Sequence, residues 1–110
     1  MTKLGLVLDC ADPEELAKFW APALGYTIVG GAGAYVMLLP TEPGQPQLLL
    51  QRVPEPKSAK NRVHWDVSVA DLAPLSEAGA TLLRPPGPAA GWHVMADPEG
   101  NEFCAFVSDD

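Results

Sequence analysis

The sequence predicts an α+β fold: tandem βαβββ modules forming curved mixed sheets around a cleft, with the helices outside. Three observations carry that expectation. Two strand-like runs, LGLVLDC and RVHWDVSV, each lead into an aspartate followed by helix-type sequence. Each helical segment meets a glycine, Gly25 or Gly79, and three more strand-like runs follow it. The two halves also align as an internal repeat, with LDCAD at 8–12 matching VSVAD at 67–71 and GYTIV at 25–29 matching GATLL at 79–83. At 110 residues and 47% hydrophobic content the chain suits one domain of two modules, 1–56 and 57–110, and is too short for two independent cores.

Taken in order, LGLVLDC is an apolar run of strand length. Asp12 is placed to cap a helix, with Pro13 at its first position and Glu15 three residues after the cap. Leu16, Phe19, Trp20, Ala23 and Leu24 recur at helical spacing and define a buried face. Pro22 interrupts that helix near its end, and Gly25 supplies a left-handed stop. The strands YTIVG, AYVMLLP and QLLLQRV complete the first module, separated by Gly-rich and Pro-rich turns. After the linker PEPKSAKN the pattern restarts with RVHWDVSV. Asp71 is read as a second cap, LAPLSEA as a short helix tolerating Pro74 in its first turn, and Gly79 as its stop. ATLLR, WHVMAD and NEFCAFV are the remaining strands, with the PPGPAAG loop before Trp92. In DPEGN, Pro98 presets a turn dihedral and Gly100 accepts a left-handed one, while Asp97 and Asn101 can bond nearby backbone. These are turn residues rather than catalytic ones.

Composition excludes several function classes. Seven basic against fourteen acidic residues give a net charge of −7, which argues against nucleic acid and favours a cationic or neutral ligand. No apolar run reaches the roughly 18 residues of a membrane span, and the opening residues lack a signal-peptide pattern, so a cytoplasmic protein without a membrane partner is expected. Cys10 and Cys104 lack CxxC spacing and are expected to stay unpaired.

The segments LDCADPEELAKFWAPALGY, RVHWDVSVAD and ADPEGNEFCAF, in that order and spacing, resemble the vicinal oxygen chelate superfamily, which includes glyoxalase I, extradiol dioxygenases and bleomycin-resistance proteins. The resemblance covers the whole chain and is greatest to the small bacterial glyoxalase-like domains. It implies paired modules, a homodimer, and four metal-ligand positions facing the cleft. Those positions fall on Gly5, Gln51, His64 and Cys104. Glycine offers no side chain, glutamine only a neutral amide oxygen, and cysteine replaces a usual carboxylate, so neither metal nor cofactor is expected.

Strand parity then selects candidates, since alternate side chains share a face. His64, Asp66 and Ser68 fall on one face, with Val63, Trp65 and Val67 toward the helices. Glu102, Cys104 and Phe106 share a face of the last strand, and Glu102 lies about 6–7 Å along it from the lost ligand position. His64 and Glu102 are the catalytic candidates. His64, Gln51, Asp66, Glu102, Cys104, Tyr35, Trp92 and His93 are the candidate ligand-binding residues, while Trp20 and Trp65 read as core. The leading expectation is a glyoxalase/bleomycin-resistance-like protein that binds a small organic molecule without the usual metal. Two alternatives stand beside it: a metal-dependent lyase, isomerase or dioxygenase of the same superfamily, and a ligand-free assembly module.

Overall fold

The computed structural model describes residues 2–87 and 91–107, so the centre of the PPGPAAG loop lies outside the described residues. The elements are β1 (Gly5–Cys10), α1 (Pro13–Leu24), β2 (Tyr26–Ala32), β3 (Tyr35–Pro40), β4 (Gln47–Arg52), β5 (Asp66–Val69), α2 (Ala73–Glu77), β6 (Thr81–Arg84), β7 (His93–Ala96) and β8 (Glu102–Val107). They form two compact units, Met1–Pro56 and Lys57–Asp110. The sheet orders are β1-β4-β3-β2 and β5-β8-β7-β6, one strand order used twice. In each sheet the first strand pairs parallel to the last, and the remaining pairs are antiparallel.

In the first unit Asp12 Oδ1 accepts from the Glu15 N–H at 3.2 Å, satisfying one of the donors a helix start leaves open. Pro22 is accommodated inside α1, and Gly25 at φ 70° closes the helix by donating to the Ala21 and Pro22 carbonyls. One face of α1 buries Leu16, Phe19 and Trp20 against the sheet, where Leu8, Val36, Leu38, Leu48 and Leu50 are also buried. Phe19 and Trp20 meet edge to face with centroids 4.9 Å apart. Each fully buried large side chain here contributes about 1.5–3 kcal/mol. The other sheet face carries Val7, Tyr35 and Leu39, all exposed.

The second unit departs from the sequence expectation in two places. Residues 63–65 precede the ladder, which starts at Asp66, so strand parity does not extend to Val63; that residue is 76% exposed instead of facing a helix. α2 begins at Ala73 after a helical Leu72, and Asp71 Oδ1 accepts from the Ala73 N–H at 3.1 Å, two residues on. Asp71 thus makes an Asx-type turn into the helix instead of capping it. The core of this unit contains Val67, Leu75, Met95, Phe103 and Ala105.

The DPEGN segment is a turn held from within. Asp97 Oδ1 accepts from the backbone N–H groups of Glu99 and Asn101, both at 2.9 Å, and its Oδ2 accepts from Asn101 Nδ2 at 2.8 Å. Both residues are buried, and Gly100 takes φ 88°. A buried carboxylate persists here because neighbouring donors satisfy it.

Candidate functional site

The chemistry-bearing residues of the second unit gather on one face of its sheet. β5 and β8 run parallel with Asp66 directly opposite Cys104, and the Cys104 N–H donates to the Trp65 carbonyl at 3.1 Å. That bond extends the pairing one residue before the formal strand and holds the chain at His64 alongside β8. In consequence the donor atoms of His64, Asp66 and Cys104 all lie within 4.8 Å of one another. His64 and Asp66 are exposed, and Cys104 is half-buried.

A concave pocket of about 200 Å³ lies beside them, lined by Lys60, His64, Arg84, Trp92, Val94, Glu102, Phe103 and Cys104. Register explains the lining. Val94 faces Cys104 across the antiparallel pair, and Arg84 faces Val94 past a bulge in β6, so these side chains share the Cys104 face. Trp92 packs on Phe106 with centroids 5.8 Å apart and an interplanar angle of 39°, and the residue remains 39% exposed. A larger hollow in the first unit, bounded by residues 2–5, 39–40 and 44–47, offers one lysine and amides but no cluster of titratable groups.

Electrostatics act in opposite directions on Glu102 and Cys104. Glu102 Oε1 accepts from the Asn61 backbone N–H at 3.0 Å and lies 3.2 Å from Lys57 Nζ. In return, the Glu102 N–H donates to Asn61 Oδ1 at 3.4 Å. The Asn61 N–H, and after it Glu102's own N–H and Lys57, hold the Glu102 carboxyl below the usual carboxylate range against the opposing effect of burial. Glu102 is therefore an ionised anchor for the segment entering β5, poorly suited to donate a proton at neutral pH. Burial pushes the Cys104 thiol up, the Asp66 carboxylate adds to that, and Lys60 and Arg84 oppose it. Neither Cys10, on the helix side of the first sheet, nor Cys104 is in a disulfide.

Of the residues singled out from the sequence, His64, Asp66, Cys104, Glu102 and Trp92 come together on this face. His93 does not join them. It pairs with Ala105 on the opposite, buried face, where its Nδ1 has no hydrogen-bond partner among the described residues. Tyr35 and Gln51 are cross-strand partners on the exposed face of the first sheet. Lys60 and Arg84 were missed in the sequence. Arg84 could have been found from the strand ATLLR, but the bulge that turns it onto this face leaves no mark in the pattern. The sequence offered Asp66 as a ligand-binding candidate on the His64 face; its approach to Cys104 follows from the parallel register.

The comparisons settle the family. A family model described as glyoxalase-like domain matches residues 5–106. The chain belongs to that family. Among solved structures, a hypothetical protein from S. aureus is 20% identical with TM-score 0.73, covering 98% of this chain and 95% of that one. A glyoxalase/bleomycin resistance protein/dioxygenase family enzyme from Burkholderia phytofirmans PsJN is 18% identical with TM-score 0.68, covering 91% and 93%. A bleomycin-binding protein from bleomycin-producing Streptomyces verticillus, solved with copper(II)-bleomycin, is 20% identical with TM-score 0.59, covering 98% and 97%. At these identities the likeness is one of fold. No curated protein matches the sequence.

This glyoxalase-like chain does not present the four-ligand set that the family resemblance implies. Gly5 has no donor and Gln51 carries only an amide, so His64 and Cys104 alone of the inherited positions are ready metal ligands.

Proposed function

We propose that this glyoxalase-like protein binds a small, planar organic molecule on the exposed face of its second sheet, without the family's usual metal. The observation that carries this reading is the pocket in which the half-exposed Trp92 indole lies with Arg84 and Lys60. A flat apolar body can stack on Trp92, and an anionic group can pair with the guanidinium. The whole chain's charge of −7 favours a cation, but within the pocket the Glu102 carboxylate is held by Lys57 and the Asn61 N–H, which leaves Arg84 and Lys60 as the lining charges open to an anion. His64 contributes one hydrogen bond as acceptor or donor.

The bleomycin-binding relative supports a small-molecule role by analogy. A homodimer is part of the same reading, supported by the exposed Val7, Tyr35 and Leu39 on one face of the first sheet, and light scattering measures it. No helix among the described residues is long and apolar enough to cross a membrane. One observation favours the metal-dependent enzyme reading instead, namely the convergence of His64, Asp66 and Cys104.

The test is a titration of metal-stripped, isotope-labelled protein with a library of aromatic carboxylates, followed by amide NMR shifts. Shifts confined to residues 60–66, 84, 92–95 and 102–106 are expected, with about tenfold weaker binding for Arg84→Gln and Trp92→Ala. Shifts elsewhere, or hits insensitive to both substitutions, would sink the proposal.

A further inference from the structure

We infer that the pocket takes a zwitterion, a flat ring whose anionic group is held by Arg84 at one edge of the sheet and whose ammonium group is held by Asp66 and His64 at the other. This rests on the planar-anion reading above and adds the second pole of the ligand.

The strand register lays out the two poles. The order β5-β8-β7-β6 puts β5 and β6 at opposite edges of the sheet. Arg84 pairs with Val94, Val94 with Cys104 and Cys104 with Asp66, so these residues form one row running across the strands. Neighbouring strands lie about 4.8 Å apart, which makes the row about 14 Å wide between its end Cα atoms. A cation closes one end and a carboxylate the other, with only Val94 and a thiol between them. Beside that row Trp92 packs on Phe106 and supplies the ring-stacking surface. Once the end side chains reach inward, the row has room for one ring carrying a substituent at each end.

Both ends are chemically unspent. Among the described residues, no hydrogen bond or ion pair engages the side chain of Arg84, Asp66 or His64. Glu102, by contrast, is taken up by the Asn61 N–H and Lys57. The polar atoms of His64 and Asp66 lie within 4.8 Å of each other, so one ammonium can donate to the carboxylate and, through a second N–H, to a neutral imidazole. Lys60 also lines the pocket and is the like charge that opposes a cation there. The Asp66 charge nevertheless acts on the neighbouring Cys104 thiol more strongly than Lys60 or Arg84 does, so the negative field prevails at this end of the row. The chain's net charge of −7 acts in the same direction.

The test is a calorimetric titration of metal-stripped protein with three ligands of one shape: para-toluate, para-(hydroxymethyl)benzoate and para-(aminomethyl)benzoate. The ammonium compound should bind about three- to tenfold more tightly than para-toluate, the scale of one partly exposed charged hydrogen bond, with the alcohol between them. That gain should shrink as salt is raised. Asp66→Asn should bring the ratio of the two affinities close to one, and Asp66→Glu should keep most of it. Arg84→Gln should weaken all three ligands, while Glu14→Gln, an equal loss of charge on α1, should leave the ratio as in the parent. Circular dichroism establishes that each variant folds. Failure of para-toluate to bind the parent would sink the planar-anion reading and this inference together. Arg84-dependent binding of para-toluate with no gain from the ammonium, or a gain that survives Asp66→Asn, would overturn the inference alone.

Discussion

Asp66 and Cys104 stand directly opposite one another in a parallel ladder, a carboxylate facing a half-buried thiol across two strands. Burial first, and the carboxylate second, keep that thiol protonated at neutral pH. In metal-stripped protein Cys104 should therefore react slowly with iodoacetamide near pH 7, its rate rising only above the usual thiol range of about 8–9. Asp66→Asn should move the rise to lower pH without restoring an ordinary thiol, because burial is the larger cause. Peptide-resolved alkylation rates across pH measure both effects. A fast neutral reaction in the parent would contradict the geometry.

Glu102→Gln should destabilise metal-stripped protein by about 1 kcal/mol at neutral pH, since the amide still accepts from Asn61 but no longer attracts Lys57. The folded carboxyl titrates below its unfolded value, so its contribution is fully present above about pH 4.3 and is lost as pH falls through the folded value. Urea unfolding curves of the two proteins should converge on acidification. A difference that grows as pH falls would refute the assigned role.

Asp97→Ala should cost about 2–4 kcal/mol, because it leaves two backbone donors and the Asn101 amide without their buried acceptor. The loss should be strongly non-additive with Asn101→Ala, which a double-mutant cycle by thermal unfolding would show. Additive losses would mean that the two residues do not act as one turn network.

Gly31→Ala should destabilise the β2/β3 pair by about 1–3 kcal/mol, since a Cβ there would sit 2.8 Å from the Tyr35 carbonyl oxygen. Gly87→Ala, where the same atom meets open space, should change stability by less than about 0.5 kcal/mol. Equal effects at the two positions, read by chemical denaturation, would show that close backbone approach does not decide the first.

The sequence by itself determined what depends on near neighbours along the chain. The Asp12 cap, the Gly25 and Gly79 stops, the DPEGN turn and the repeated βαβββ order all follow from residues a few positions apart. Alternation within a strand also puts Glu102 and Cys104 on one face. Alternation could not say where a ladder begins, so Val63 was expected inward and is exposed. The sequence named both Trp92 and His93 as ligand candidates, whereas pairing sends His93 to the buried face with Ala105. Tertiary structure alone decided the chemistry of the site. It spent Glu102 on Asn61 and Lys57, turned Arg84 toward Val94 through a bulge, and set Asp66 against Cys104. The physical reason is that backbone hydrogen bonds between distant strands set register, and a one-residue shift in register would exchange every face on which these side chains meet.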